Sequence, residues 1–223
     1  MIDPTPIWIT LQLAGLSTLL LLVIAIPLAW WLAVTRSRLR PVVEALTALP
    51  LVLPPTVLGF YLLILFSPEN PFGATWLRIT GETLTFSFSG LVLASILYSL
   101  PFAVQPLQGA FQGVGPRMME AAATLGAAPF DAFRSVALPI ARRGLLTAAV
   151  LSFAHTLGEF GVILMVGGNI PGKTRVIAIE VYNAVETLDY QTAHILSAGL
   201  LVVSFATLVL VYALNRRRDL ARV

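Results

Sequence analysis

The chain has 223 residues, 57% of them hydrophobic and only 11% charged, with a formal net charge of +3 and no cysteine. Soluble domains carry roughly a quarter charged residues, so the composition excludes an ordinary soluble globular protein. The lack of cysteine excludes disulfides and thiolate metal sites, and His155 and His194 stand too far apart in sequence to form a metal motif.

The charges are clumped. Residues 4–35, 45–68, 83–116 and 190–215 contain no Asp, Glu, Lys or Arg, and a fifth apolar run at 144–166 is interrupted only by Glu159. About 20 apolar residues cross a bilayer as a helix. The runs therefore predict five spanning helices, near 8–34, 45–66, 86–111, 144–166 and 193–214, in an all-α integral membrane protein formed by one transmembrane domain over 1–223. Strands are disfavoured, because an open sheet edge in lipid leaves backbone groups unpaired. Asp3, the absence of Lys or Arg before the first run, and the length of that run mark it as a retained helix and not a cleaved signal.

The second run begins Leu49-Pro50-Leu51-Val52-Leu53-Pro54-Pro55-Thr56. Its prolines predict a kink that either serves packing or frees backbone groups toward a path. The third run ends with Gly109 and Gly113 on one helix face, a small-residue pattern used in helix association.

Between the third and fourth runs lies a polar, charged island at about 114–142. It contains Glu120-Ala121-Ala122-Ala123-Thr124-Leu125-Gly126 and then Leu138-Pro139. Gly126 is suited to the left-handed turn that ends a helix, Pro129 to the first turn of the next, and Pro139 to its end.

The fourth run carries His155-Thr156-Leu157-Gly158-Glu159-Phe160-Gly161. Ionisable residues at membrane depth are costly and point to function. His155 and Glu159, at i and i+4, share one helix face and can pair; hydrogen bonds to a neighbouring helix are the alternative. Gly158 and Gly161 offer close approach to another backbone.

After this run, Gly167-Gly168-Asn169-Ile170-Pro171-Gly172-Lys173-Thr174 fits the G-x-x-x-x-G-K-T nucleotide pattern letter for letter. A phosphate-binding loop needs a buried strand before it and a helix after it in an α/β sheet. Here an apolar helix precedes it, so the run reads as a Gly/Pro turn. Gly168, Asn169, Lys173 and Arg175 are candidates for contact with an extracytoplasmic protein or its anion. Residues 176–188 predict a short interfacial or re-entrant helix with Glu180 and Glu186 on its wet side.

Of the 14 Lys and Arg residues, only Arg78, Lys173 and Arg175 fall on one side of this layout. The other 11, including Arg36, Arg38, Arg117, Arg142, Arg143 and Arg216 to Arg218, fall on the opposite side. The positive-inside rule makes that side cytoplasmic, with the N-terminus outside and the C-terminus inside. The basic excess thus reports membrane orientation. No aromatic-basic patch for nucleic acid is present, and no internal repeat of 20–50 residues is found.

The Glu120 island resembles the EAA loop of ABC-importer permeases. Together with GEFG at 158–161 and the string GGNIPGKTRVIAIEVYNAVETLDYQTA at 167–193, it resembles the permease subunits of molybdate importers. The LPLVLPPTVLGF run is similar to that family as well, and GEFG and GNIPG are shared more loosely with sulfate permeases.

The resemblance implies a type I importer-permease fold with a cytoplasmic coupling-helix loop, set in the plasma or inner membrane of a bacterium or archaeon. It implies a homodimer, a cytoplasmic ABC ATPase dimer that binds the ATP and Mg, and a periplasmic binding protein. The chain itself would bind no cofactor and catalyse no reaction. Glu120, Ala121, Ala122, Gly126, Leu138 and Pro139 would couple to the ATPase. His155, Gly158, Glu159, Gly161, Pro54 and Pro55 would line the path or the dimer interface. His155 stands where many members have Arg, which puts any role of that Arg in anion passage in doubt here.

With no Lys or Arg inside the runs, affinity is expected to reside in the binding protein. A sulfate permease, an intramembrane enzyme using His155 and Glu159, and a non-transporting scaffold are the competing readings.

Overall fold

The structure is a computed structural model describing residues 3–216. Its helices in chain order are α1 (Thr5–Val34), α2 (Arg40–Val52), α3 (Pro55–Phe66), α4 (Pro71–Thr80), α5 (Phe88–Gln112), α6 (Pro116–Thr124) and α7 (Pro129–Ala132). A π-helical turn over Phe133–Ala137 leads into α8 (Leu138–Ile140), followed by α9 (Arg142–Leu157), α10 (Gly161–Gly167), α11 (Ile177–Glu186) and α12 (Tyr190–Arg216). No strand occurs among the described residues.

Three helices are long and apolar enough to cross a bilayer unaided: α1, α5 and the Tyr190–Leu210 part of α12. They match the first, third and fifth predicted spans. On α1 the buried residues Ile9, Leu13, Ser17, Leu21, Ala25 and Ala29 recur at every fourth position, a single ridge that packs along α5. α5 is central: it meets α1, α2, α9 and α10. α12 is peripheral, with 11% of its apolar window buried against 61% for α5.

The second and fourth predicted spans are not continuous helices, which corrects the sequence expectation. α2 and α3 are bent 114° apart. The cause is local: Leu53, preceding a proline, is extended at φ −72° and ψ 135°. Pro54 is extended too, and Pro55 opens α3 at a position where its missing N–H costs nothing. At 13 and 12 residues the two pieces are each only about 20 Å long, short of the ~30 Å hydrocarbon core.

The fourth span breaks at Gly158-Glu159-Phe160, between α9 and the seven-residue α10. In addition, the Pro129–Ile140 arm meets α9 at 70°. The sequence did not predict α4, although Asn70 accepts the Phe72 amide hydrogen at 3.0 Å, Pro71 opens the helix and Gly81 closes it in the left-handed conformation.

Pro139 does not stop its helix, as the sequence suggested. The chain widens into the π turn, where the Leu138 amide donates to the Phe133 carbonyl. The helix then runs on to Ile140. A Cβ on Gly109 would meet nothing within 4 Å, so the Gly109/Gly113 face packs no helix among the described residues. The close approach of α9 to α5 is instead at Gly144, where a Cβ would stand 2.3 Å from the Ala110 Cβ.

Candidate functional site

A polar seam runs between α5 and α9 inside the bundle. Ser95 and Ser99, four residues apart on α5, are both fully buried. The Ser95 hydroxyl donates to Glu159 Oε2 at 3.3 Å. Ser99 Oγ lies 2.9 Å from His155 Nδ1 and 3.2 Å from the Thr156 hydroxyl, and the latter donates back to the Ser152 carbonyl at 3.0 Å. The His155 ring is stacked on Phe102 with centroids 4.0 Å apart and lies 4.8 Å from Tyr98.

His155 and Glu159 therefore do not bond to each other. The helix break places His155 in the last turn of α9 and Glu159 beyond it, and each answers a separate serine on α5. The i, i+4 pairing expected of an unbroken helix is corrected by this geometry; the alternative, bonds to a neighbouring helix, is what the fold uses. The two serines were missed in the sequence, although their spacing of four inside the charge-free run 83–116 is a readable signal. Glu159 Oε1 and Ser152 Oγ are buried without a hydrogen-bonding partner among the described residues.

The seam opens into a groove of ≈ 640 Å³ lined by Pro55, Thr56, Tyr98, His155, Glu159 and Gly161 among others. Both broken helices meet there. A Cβ on Gly161 would stand 2.8 Å from the Pro55 Cβ, and one on Gly59 would stand 2.7 Å from the Met165 Cβ, so α3 and α10 cross in close contact. Gly158, by contrast, is exposed and approached by no other segment. Non-helical backbone at membrane depth is tolerated where it lines a cavity, which is its situation here. The groove offers hydroxyls and an imidazole but no Lys or Arg among its lining residues; it can exchange hydrogen bonds with a polar solute without a fixed cation to trap an anion.

The Glu120 island forms α6, a tight turn and the α7–α8 arm. Gly126 has φ +87°, the left-handed conformation anticipated for it, and Pro129 opens α7. Glu120, Ala121 and Gly126 are exposed, Pro139 is exposed and Leu138 half-buried. Ala122 is turned inward and buried within the chain. Two apolar side chains the sequence reading passed over project from this polar island: Leu125 is 88% exposed and Phe130 71%. The arm is fixed to the bundle by an aromatic cluster. Phe133 of the π turn lies 5.2 Å from Trp30 of α1 and 5.9 Å from Phe111 of α5, and Trp30 meets Phe111 edge-on at 5.3 Å.

At the opposite end, the 167–174 loop has no geometry for phosphate. The amides of Lys173, Thr174 and Arg175 all donate inward to the Ile170 carbonyl. The fully buried Thr174 hydroxyl donates to the Gly167 carbonyl at 2.7 Å and accepts from the Ile170 amide at 3.1 Å. The following helix starts only at Ile177. Asn169 accepts from Arg175 Nε at 2.7 Å and donates to Asn183 at 2.8 Å, and Arg175 reaches Glu180 at 3.3 Å. Gly168 is partly covered by the Phe86 ring, while Lys173 is exposed. α11 lies beside α1, where the Ile177 amide donates to the Thr10 hydroxyl at 2.8 Å.

Comparison with known proteins follows from this geometry. Residues 25–220 match the family described as binding-protein-dependent transport system inner membrane component. The chain is 54% identical over 214 residues to the molybdenum transport system permease protein ModB of Azotobacter vinelandii, covering 96% of this chain and 95% of that one. It is 33% identical to the sulfate transport system permease protein CysT of Escherichia coli, covering 93% of this chain and 73% of that one. In three dimensions it superposes with a TM-score of 0.75 on a chain of a bacterial ABC transporter that imports the acidic polysaccharide alginate, at 20% identity, covering 96% of this chain and 78% of that one. The last likeness concerns the fold alone.

Proposed function

This chain belongs to the family of binding-protein-dependent transport system inner membrane components, and on that premise we propose that it is the permease subunit of an ATP-driven importer of molybdate or tungstate. The observation that carries the substrate is the 54% identity to a molybdenum permease across nearly the whole length of both chains, well above the 33% to a sulfate permease.

Two copies of the chain enclose the path, each contributing the groove of Thr56, Tyr98, His155 and Glu159. The N-terminus and the 167–176 loop face outward, and the Glu120 loop faces the cytoplasm; the distribution of Lys and Arg supports this orientation. There Glu120, Ala121, Gly126, Leu125 and Phe130 dock on an ATPase, which alone binds ATP and Mg. Phe133, Trp30 and Phe111 pass its movement into α1 and α5. Lys173 and its neighbours receive the binding protein. With no cation in the groove, selectivity is set by that binding protein, and the groove supplies a gated path of hydroxyls and backbone.

Reconstitution tests this reading. The permease, its ATPase and its binding protein in proteoliposomes should take up molybdate and tungstate in proportion to ATP hydrolysed, with a large excess of sulfate giving little competition. Uptake of sulfate in preference to molybdate would move the chain to the sulfate class. Chemistry by the permease without ATP would move it to the intramembrane-enzyme reading.

A further inference from the structure

α12, the least buried of the long helices, leaves a groove apart from the polar seam. Between the first turns of α1, the end of α9 and α12 lies a cavity of ≈ 440 Å³ with an almost wholly apolar lining that includes Ile7, Leu11, Leu157, Ile195, Gly199 and Val203. Gly199 deepens it, since nothing stands within 4 Å of the place a Cβ would take. The groove opens beside α12.

A second cavity, ≈ 510 Å³, abuts it at Ile195 and Leu196 and is polar, lined by Asp3, Glu180, Asp189, Gln191 and Thr192. Asp3 accepts from the Thr5 amide at 2.9 Å and Asp189 from the Thr192 amide at 3.1 Å, and these hydrogen bonds hold both carboxyls below the usual carboxylate range. Arg175 pairs with Glu180 at 3.3 Å, and its charge also acts on Asp3. Trp8 and Tyr190, 63% and 62% exposed at the same end of α1 and α12, place this rim at the membrane–water interface. An acidic rim above an apolar slot at acyl-chain depth is complementary to an amphiphile with a cationic head.

We propose that this groove holds one acyl chain of a phospholipid with an ammonium headgroup, of the phosphatidylethanolamine type. The ammonium sits among Asp3, Asp189 and Glu180, and the phosphate lies toward Arg175. An anionic phosphatidylglycerol would meet three carboxylates and be disfavoured.

The test is native mass spectrometry of the assembled transporter, washed free of bulk lipid and exposed to phosphatidylethanolamine or phosphatidylglycerol with identical chains. One phosphatidylethanolamine per copy should be retained in preference to phosphatidylglycerol. Gly199→Leu, whose Cβ meets no atom within 4 Å and whose side chain extends into the slot, should weaken retention about tenfold. Asp3→Asn with Asp189→Asn keeps both helix caps and should abolish the headgroup preference while leaving the chain bound. A photoreactive phosphatidylethanolamine applied to the unmodified transporter should label residues 7–11 and 195–203. Equal retention of both lipids, full retention by Gly199→Leu, or labelling spread over all lipid-facing surfaces would overturn the assignment. So would an efficient disulfide between copies at Gly199→Cys, since a second copy would then cover the groove.

Discussion

The polar seam makes a quantitative prediction that separates it from a His155–Glu159 pair. Ser99→Ala removes the 2.9 Å contact to His155 Nδ1 and the contact to Thr156. His155→Phe removes the first of these while keeping a ring on the Phe102 face. Leaving a buried polar group unpaired costs about 1–3 kcal/mol, and interhelical hydrogen bonds in bilayers couple by ~0.6 kcal/mol on average and ~1.7 at most. Each single variant should therefore lose stability, and the double-mutant cycle should give a coupling of about 1 kcal/mol. The corresponding cycle between His155→Phe and Glu159→Gln should be additive within ~0.3 kcal/mol, because no bond joins the two residues. Reversible unfolding in bicelles, followed by tryptophan fluorescence, reads both cycles. Coupling between His155 and Glu159 together with additivity between Ser99 and His155 would refute the seam and restore the intrahelical pair.

Three further outcomes follow from the same geometry. Thr174→Val strands a buried carbonyl and a buried amide and should cost ~3 kcal/mol in thermal or chemical denaturation, whereas Thr174→Ser keeps both bonds and loses only a methyl, about 1 kcal/mol. ATP should not stabilise the isolated permease in either background, and saturable ATP protection would reopen the phosphate-loop reading. Leu125→Ala with Phe130→Ala should leave permease stability unchanged but weaken ATPase co-purification and coupled uptake, with ~1–2 kcal/mol lost at each contact; normal assembly of the double variant would remove these side chains from the interface. Gly161→Val overpacks the α3–α10 crossing and should cost ~1–3 kcal/mol, while Gly158→Ala should be nearly silent, and equal effects on unfolding would contradict the assigned packing.

The long helices were legible because their signal is composition. Runs without charge at 4–35, 83–116 and 190–215 became α1, α5 and α12 with small shifts at their ends. The broken spans were less so. Hydropathy is blind to direction, and Leu53-Pro54-Pro55 reads as a kink whether the chain bends slightly or by 114°. GEFG escaped as a break because two glycines in an apolar run are common in membrane helices, and only the tertiary pull of Ser95 on Glu159 shows the turn. That error carried over to the site, since an i, i+4 argument holds only where the helix is intact. The burial of Ala122 was not legible, because it depends on which face of the nine-residue α6 is turned to the bundle, and the motif does not specify that. The Gly/Pro turn at 167–174 was legible as a turn because its context, a preceding apolar helix, was itself readable.

The central claim, that the groove at the two helix breaks lines the path, can be tested by cysteine accessibility, since the chain contains no cysteine of its own. Thr56→Cys and Ala154→Cys, both at residues lining the groove, should react with a membrane-impermeant anionic thiol reagent in the assembled transporter, at rates that change between nucleotide-free and ATP-bound states. Modification should block molybdate uptake, while Val202→Cys on the lipid face of α12 should stay unreactive. Thr56→Cys and Ala154→Cys that remain inert in every nucleotide state, or that react fully with uptake unimpaired, would contradict the account.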